Sequence, residues 1–444
     1  MAHQIHCLRV STTLYDGIVD SALSPNIAET LQGGDGSLYN TFAATLGAAP
    51  ALRFTSVKVA QNRALSGAAG AAIGTAVEAF LVEEEAFGTR KSTGQKLALS
   101  NGVIVPRTIS ADQGGVARLA QEIVLGGAAA GGAPYSFTAD QTVPTAATVD
   151  ELFTLGPITV DGTSIGGVQS LSFDFGVGLS AVQSDGQTYP RLVAVNAVAP
   201  RLTFDTNNIG LLLSSDPSLG GLGSLELNAG DAEPVAVAAY LAELTEGGVI
   251  GSTGEKITCS YGLLVPRSLT VSAAGDAVLS YEVVLGGHTG APFSLASSQD
   301  LPDAATGEAL YGVGDVSVDG GDLGRIQDLT IDFGHAVAIE AEGGSLYPAQ
   351  VVRRATAPTM TLTTLNAETL ASGVAGLAGA ERTVVATFKK RSSTGFAGSG
   401  DVTITANQAR VMVDELGGSH GDDATSRVTV TTTYDGTNAP LTAA

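Results

Sequence analysis

The amino-acid sequence predicts a mainly β protein built from tandem β-sandwich or barrel-like domains, each with a short helix. Three observations support this fold class. The chain of 444 residues contains 57 glycines, no tryptophan and only 15% charged residues, a composition that suits short strands joined by tight turns. Many segments alternate apolar and polar residues with the period of a half-buried strand. Several motifs also recur in the same order along the chain.

The first group of recurring motifs centres on an apolar segment that ends in Pro-Arg. Residues 101–107 (NGVIVPR) return as residues 261–267 (YGLLVPR), with a weaker copy at 407–412. A Ser-Thr-Gly motif precedes each copy, at 92–94, 252–254 and 393–395. A segment that ends in glycine follows each copy, at 122–127, 282–287 and 433–436. The common order and spacing indicate one unit that is written three times.

A second group of motifs agrees with the first. The pattern Val-Asp-Gly at 160–162 and 318–320 leads to similar segments at 171–176 and 329–334. A turn motif follows at 35–40, 185–190 and 343–348, and an Ala-Pro follows it at 49–50, 199–200 and 357–358. The predicted repeat units are 1–156, 157–314 and 315–444. The repeat also allows another phase, in which 49–198 and 199–356 are complete domains and 1–48 completes a third domain with 357–444.

Within the middle copy, the elements are predicted in order from the alternation and the turns. Strands are predicted at 158–162 and 169–175, joined as a hairpin through Gly162 and Gly166-Gly167. A strand at 200–205 leads to an apolar run at 208–213 that opens a short helix, and its equivalent at 366–373 is also predicted to be helical. Further strands are predicted at 235–241, 256–261, 268–272 and 277–285, with a turn at 273–276. Six or more strands and one helix favour a sandwich or a small barrel.

Charge and cysteine content exclude several classes of protein. The net charge of −22 repels phosphate and argues against specific nucleic-acid binding, although solubility alone also accounts for such acidity. Cys7 and Cys259, the two cysteines, are expected to be buried apolar residues rather than a disulfide or a metal site. The sequence shows neither a signal peptide nor an apolar run of about 20 residues, so we expect no membrane anchor and assembly in a cytoplasm.

The sequence offers no recurring catalytic, cofactor-binding or metal-binding residues, and we expect neither an enzyme nor a cofactor. None of the five histidines recurs between copies, so surface or loop positions are expected for His3, His6, His288, His335 and His420. His3 and His6 lack acidic or cysteine partners at ligand spacing. Residues 417–421 match the Gly-x-Ser-x-Gly pattern of a nucleophile elbow, but a predicted strand at 428–431 follows them where that motif needs a helix.

Opposite charge runs occupy corresponding places in two copies. Residues 83–85 are three glutamates in the first copy, whereas residues 389–391 are Lys-Lys-Arg in the third. A solvated edge explains each run alone, but together they suggest complementary charges at contacts between units or subunits. On this hypothesis, reversing residues 389–391 to glutamate hinders assembly without unfolding the subunit.

Several motifs resemble segments of siphophage major tail or tail-tube proteins. They are the Val-Asp-Gly and Asp-Phe-Gly motifs, the Tyr-Pro turn and the C-terminal segment 430–440 (VTTTYDGTNAP). The resemblance implies a β-sandwich subunit with a flanking helix, in the virion tail, that forms stacked rings with copies of itself and contacts other tail proteins. Such rings usually present six tube domains, so three chains with two full domains each, or two chains with three, would complete one ring. The trimer is the expectation.

The resemblance also implies a function for the acidity, because DNA must pass through the lumen of such a tube without being held there. Two other classes of function compete with this one. The first is another virion or surface structural protein, such as a capsid shell or decoration protein or a surface-layer module. The second is a tandem carbohydrate-binding adhesin, which the lack of tryptophan and the 5% aromatic content disfavour.

Overall fold

Antiparallel strands dominate the computed structural model, so the prediction of a mainly β protein is confirmed. The structure describes residues 3–33, 40–83, 91–126, 132–145, 151–183, 186–213, 222–228, 235–245, 248–287, 290–303, 305, 309–365, 380–417, 425–434 and 439–444. Three consecutive sections of the chain repeat one order of elements.

The first section contains twelve strands and one helix. They are β1 (His3–Val10), β2 (Thr13–Tyr15), β3 (Ile18–Ser24), β4 (Ile27–Gly33), β5 (Asn40–Ala48), β6 (Ala51–Ser56), α1 (Val59–Ser66), β7 (Ala71–Ala72), β8 (Val77–Glu83), β9 (Thr93–Leu99), β10 (Gly102–Asp112), β11 (Arg118–Leu125) and β12 (Tyr135–Thr142).

The second section has the same order. Its elements are β13 (Leu152–Val160), β14 (Thr163–Ile165), β15 (Val168–Asp174), β16 (Val177–Val182), β17 (Leu192–Val198), β18 (Arg201–Thr206), α2 (Ile209–Leu212), β19 (Leu225–Asn228), β20 (Val237–Leu244), β21 (Ile250–Cys259), β22 (Tyr261–Ser272), β23 (Val278–Leu285) and β24 (Phe293–Asp300).

The third section follows the same plan with longer strands. Its elements are β25 (Tyr311–Val318), β26 (Gly321–Asp322), β27 (Ile326–Asp332), β28 (His335–Ala341), β29 (Pro348–Thr356), β30 (Thr359–Thr364), β31 (Ala380–Ser392), β32 (Gly395–Phe396), β33 (Val402–Gly417), β34 (Thr425–Thr432) and β35 (Leu441–Ala443). The segment predicted to be helical at 366–373 lies outside the described residues.

Each section contributes an outer sheet with the same strand order. The order is β2-β1-β8-β9-β12 in the first section and β14-β13-β20-β21-β24 in the second. The corresponding pairings in the third section give β26-β25-β31-β33-β35. There, β33 runs on from the outer sheet into the second sheet and joins the two into a barrel-like wall.

A second, continuous sheet runs through all three sections, and we call it the long sheet. Its strands pair in the order β3-β6-β11-β10-β15-β18-β23-β22-β27-β30-β34-β33. In each section, a two-stranded hairpin, which we call the arm, leaves this sheet between two neighbouring strands. The arms are β4–β5, β16–β17 and β28–β29.

Alternation in the sequence sets the two faces of the long sheet. In β30, Met360 and Leu362 are buried, and the intervening threonines are less buried. The buried face packs against the outer sheets, where Phe173 meets Phe175 and Phe293 with ring centroids 4.9 and 5.0 Å apart. Burial of these rings and of the aliphatic side chains around them stabilises a chain that has no disulfides or metal clusters among its described residues.

The sequence predicted most strands of the middle section but not how they pair. The strands at 169–175, 200–205, 235–241 and 277–285 and the helix at 208–213 are confirmed within three residues at each end by β15, β18, β20, β23 and α2. The hairpin through Gly162 is wrong in its second strand, because β13 turns at Gly162 to pair with β14, and β15 joins the long sheet. The strand at 256–261 ends at Cys259, and β22 begins at Tyr261. The unit boundaries at 156/157 and 314/315 fall within β13 and β25.

Candidate functional site

Two strand pairs join successive sections of the long sheet in the same way. At the first junction, β10 pairs with β15 from Thr108↔Asp174 to Asp112↔Ser170. At the second junction, β22 pairs with β27 from Ser268↔Asp332 to Ser272↔Asp328. Both pairings are antiparallel. Each begins just after a β-bulge in the strand of the earlier section, at Pro106/Thr108 in β10 and at Pro266/Ser268 in β22. One register therefore joins the first section to the second and the second to the third.

Two types of strand meet at these junctions, one represented by β10 and β22 and the other by β15 and β27. The long sheet has one strand of each type at its two ends. Among the described strands, β3 pairs only with β6 and corresponds to β15 and β27, with the bulge at the same place in all three ladders. At the other end, residues 409–417 of β33 pair with β34 and correspond to β10 and β22, and of these only residues 412–417 have no second partner among the described strands. The bulge there lies between Val413 and Glu415. We call these strands the two end edges of the long sheet.

Burial falls sharply at the β3 edge. Leu23 is 37% exposed, whereas the corresponding Phe173 and Ile331 at the internal junctions are fully buried. Ile27, the first residue of the first arm, is 50% exposed, whereas the corresponding Val177 and His335 are 3% and 5% exposed. Leu23 and Ile27 are thus apolar side chains that no other described section covers, which is typical of a surface that binds a partner.

Each internal junction also carries a glutamate held between two arginines on the polar face of the long sheet. Arg53 Nε and Arg107 Nε donate hydrogen bonds of 2.8 Å to the two carboxylate oxygens of Glu122. Burial raises the pKa of Glu122, but the hydrogen bonds and charges of the two arginines outweigh it and hold that pKa below its usual value. Glu282 has the same arrangement, with Arg201 Nη1 at 2.7 Å and Arg267 Nε at 2.5 Å.

The same arginines reach across the junction to the next arm. Arg107 Nη1 donates to the carbonyl of Val177 at 2.5 Å, and Arg267 Nη1 donates to the carbonyl of His335 at 2.6 Å. Their backbone carbonyls accept from the next section, from the N–H of Phe175 at 2.9 Å and of Phe333 at 3.0 Å. Both arginines belong to the repeated Pro-Arg motif, but the motif alone gave no sign of what they contact.

Apart from the paired arginines, the polar face of the long sheet consists mainly of Ser, Thr and Asp. Its less buried residues include Ser170, Ser172, Asp174, Thr203, Asp205, Asp328, Thr330 and Asp332. Asp174 stands opposite Arg201 in the ladder. Arg427 stands opposite Glu415 and Arg118 opposite Ser110, so acidic side chains accompany much of the positive charge on this face.

Contacts outside the long sheet also tie neighbouring sections together. Arg63 on α1 forms an ion pair with Glu255 of the second section at 2.7 Å, and burial raises the pKa of Glu255. Arg391 forms an ion pair with Asp276 at 2.6 Å and donates to the carbonyl of Gly275 at 2.7 Å, which joins the third section to the second. Lys389 pairs with Asp315 at 2.8 Å.

The basic run was expected to form complementary contacts between units or subunits. Arg391 pairs with Asp276 of the preceding section, which agrees with a contact between units, whereas Lys389 pairs with Asp315 within its own section. Reversing 389–391 to glutamate would therefore also disturb contacts inside the subunit. Of the acidic run, only Glu83 lies among the described residues, and Glu84 and Glu85 lie outside them.

The cysteines follow their prediction, and one histidine does not. Cys7 and Cys259 are both free and fully buried, and burial raises the pKa of Cys7 to about 11. His335 was expected at the surface or in a loop but is buried at the start of β28. Its ring nitrogens lie 3.1 Å from Thr356 Oγ1 and 3.2 Å from the carbonyl of Leu222. The preceding section covers this position, which a single sequence copy could not reveal.

The other histidines are placed only in part. His3 and His6 lie on β1 rather than in a loop, and His288 and His420 lie outside the described residues. The Gly-x-Ser-x-Gly segment begins at Gly417, the last residue of β33, and its other residues are also outside. The strand predicted at 428–431 is confirmed by β34.

A cavity of about 700 Å³ lies between the first and second sections. Its described lining residues are glycines, apolar residues, Gln113 and Thr154, and the hydroxyl of Thr154 donates to the carbonyl of Gly115 at 2.7 Å. This lining provides no acid, base or free nucleophile. Within the described part of the chain, no cluster of three metal-ligating side chains occurs. No helix of that part is long and apolar enough to span a membrane.

No protein-family model matches the chain, and no curated protein matches it. The end edges and the internal junctions are therefore the features from which a function can be inferred.

Proposed function

We propose that the chain is a structural subunit that assembles head to tail with copies of itself through the two end edges of the long sheet. Each section is then one of three tandem sandwich domains. The single observation that supports this is the pair of internal junctions, which join strands of the same two types that the chain leaves at its ends. A contact between different surfaces of identical subunits closes into a ring or extends as a fibre.

The internal junctions also fix the register expected between two copies. Thr108↔Asp174, Ile109↔Phe173 and Ser110↔Ser172 at the first junction correspond to Glu415↔Ser24, Leu416↔Leu23 and Gly417↔Ala22 between copies. Pairing in this register would place Leu23 beside another strand of the long sheet, as Phe173 and Ile331 are placed within the chain. It would also supply backbone partners to two sheet edges, which soluble proteins otherwise protect from aggregation.

Together with the siphophage resemblance, this arrangement favours a tail-tube protein whose rings stack into a tube. Three domains in one continuous sheet favour two copies in a ring of six domains over the expected trimer. The polar face of the long sheet would line the lumen, where Ser, Thr, Asp and glutamate-paired arginines would let DNA pass without holding it. The subunit would then belong to the virion tail, after assembly in the host cytoplasm, with other tail proteins as partners.

Disulfide cross-linking tests the proposed pairing. In the double variant Ala22→Cys/Gly417→Cys, the two thiols of neighbouring copies would face each other across the ladder, within the span of a disulfide. A Cβ at Gly417 meets only ordinary contacts, beginning at 3.7 Å from Glu415 Oε1. The buried Cys7 and Cys259 should not compete. Oxidation should therefore produce covalently linked oligomers on a denaturing gel.

The matched control moves one cysteine by two residues. In Ala22→Cys/Glu415→Cys, the pair is a diagonal one with a Cα separation of about 7–8 Å, which a disulfide does not span without backbone movement. Equal cross-linking of both variants, or none in either, would contradict the pairing. Electron micrographs of the purified protein would distinguish the proposed kinds of assembly. Tubes and rings would support the tail tube, whereas sheets or isolated particles would favour a shell or surface-layer protein.

A further inference from the structure

The internal junctions and the proposed junction between copies differ at one side chain of β10, β22 and β33, the strands that carry the bulge. Arg107 and Arg267 stand between Pro106 and Thr108 and between Pro266 and Ser268, at the bulge of each ladder. By position in the ladders, the corresponding residue of β33 stands between Val413 and Glu415 and is Asp414, one residue later than the motif at 407–412 indicated. A carboxylate only accepts hydrogen bonds when it is ionised, so Asp414 cannot replace an arginine that donates to a carbonyl.

The residues around Asp414 also differ from those around Arg107 and Arg267. Glu122 stands opposite Val105 in the first section, and Thr429 stands opposite Met412 at the corresponding place in the third. Thr429 Oγ1 donates a hydrogen bond to Asp414, so the arginine-glutamate pair of the internal junctions is replaced by an aspartate-threonine pair. Asp414 is exposed and so available to a second copy.

The accepting strand differs too. Phe175 and Phe333 follow β15 and β27 and donate their backbone N–H to the arginine carbonyls. The residue that follows β3 is Pro25, which has no N–H. The carbonyl of Ile27 corresponds to those of Val177 and His335, and in a second copy it would face the carboxylate of Asp414 rather than a guanidinium. Two hydrogen bonds of each internal junction therefore have no counterpart between copies.

We infer that Asp414 and Pro25 make the junction between copies a weakened form of the internal junctions, and so set how strongly the subunit associates with a second copy. This inference rests on the proposed head-to-tail pairing. Internal junctions form within one chain at high effective concentration and hold the subunit together. Without the arginine and the N–H, the ladder between chains is weaker than the internal ladders. The strength of association between copies then depends on the side chain at position 414.

The test restores the arginine-glutamate pair at the junction between copies. In Asp414→Arg/Thr429→Glu, the new guanidinium would donate to the carbonyl of Ile27 of a second copy, as Arg107 donates to that of Val177. A charge-assisted hydrogen bond should lower the dissociation constant of the subunits by about ten-fold or more. Sedimentation velocity over a range of protein concentrations measures that constant. The control Asp303→Asn changes the net charge by the same amount on an exposed residue outside both end edges.

Each outcome decides between the two proposals. Tighter association of the double variant than of the wild type and the control supports the inference. Unchanged or weaker association overturns it, and the Ala22/Gly417 cross-link then still reports whether the pairing exists. Absence of the cross-link in that pair, with no association of any variant, overturns the head-to-tail pairing itself. If the double variant does not fold, the single variant Asp414→Arg, at an exposed residue, replaces it.

Discussion

At the scale of single residues, Glu122 and Glu282 show how charge is kept on the polar face of a sheet. Each is nearly buried, and each is covered by two arginines whose own side chains remain partly exposed. The two arginines lie on different strands and the glutamate lies on a third, so one carboxylate links three strands of the long sheet. Such an arrangement is sensitive to the loss of the central charge, because two like charges would then remain close together.

Replacing Glu122 with glutamine should therefore destabilise the chain. We expect Glu122→Gln to lower the free energy of unfolding by about 1–2 kcal/mol, a figure reduced for the exposure of the arginines. Urea unfolding measures the change. The matched control is Glu340→Gln, whose partner Arg354 is 63% exposed, and it should change stability by less than about 0.5 kcal/mol.

The pKa of Glu122 adds a dependence on pH. A carboxyl whose pKa is lowered by folding from its ordinary value of 4.5 stabilises the fold above that pH and loses this contribution as the pH falls through the folded pKa. The difference in stability between wild type and Glu122→Gln should thus shrink under acid conditions. A difference that grows as the pH falls from 5 to 3 would contradict the account.

His335 should respond to pH in the same direction as Glu122, because folding lowers the pKa of both groups. Burial lowers its pKa from the ordinary value of 6.5, so the unfolded chain binds a proton that the folded chain does not. Stability should fall as the pH falls below 6.5, by up to about 1.4 kcal/mol per pH unit. His335→Val, which introduces the residue found at position 177, should remove this slope in urea unfolding between pH 5 and 6.5. Parallel curves above pH 7 serve as the control.

At the scale of elements, the arms leave the long sheet through a tight backbone step. Gly176 and Gly334 occupy this step with φ of +59° and +61°, and a Cβ on either would lie 2.0 or 2.1 Å from a carbonyl oxygen, of Ala199 or Ala357. Asn26 occupies the same step in the first section with φ of 44° and holds the carbonyl of Ala49 with its amide at 2.9 Å. Asparagine is a residue that tolerates this conformation.

Substitution at the step should be costly. We expect Gly334→Ala to lower the free energy of unfolding by about 3 kcal/mol or more, because conformational strain and a backbone clash act together. The control is Gly344→Ala in the turn of the same arm, where φ is +90° but nothing lies within 4 Å of the added Cβ. That variant should cost about 1 kcal/mol. Equal costs in thermal or urea unfolding would show that the close approach does not matter.

Strands could be predicted from the sequence, but their partners could not. Alternation identifies a half-buried strand such as Thr359–Thr364 whatever lies beside it, and the apolar run at 208–213 predicted the short helix. The same pattern does not state that Leu152–Val160 and Val168–Asp174 belong to different sheets, because both have one buried face. The repeated Pro-Arg motif contained Arg107 and Arg267, and their contacts depended on the next section of the chain, which the motif does not specify.

At the scale of the whole molecule, the long sheet is the feature that joins the three sections and that leaves two end edges. If the three sections are tube-like domains and six of them complete a ring, as proposed, closed assemblies should contain an even number of copies. We expect native mass spectrometry of rings to show multiples of twice the 44.5 kDa subunit. Rings with three copies would instead agree with the trimer expected from the sequence and would contradict three equal domains in the ring wall.

Amide hydrogen exchange compared between separated and assembled protein tests the head-to-tail pairing most directly. We expect new protection at β3 and at residues 415–417 of β33, because backbone N–H groups of both end edges would gain partners in a second copy. The internal strands β10, β15, β22 and β27 should exchange equally in both states. Assembly without added protection at either end edge would contradict the pairing.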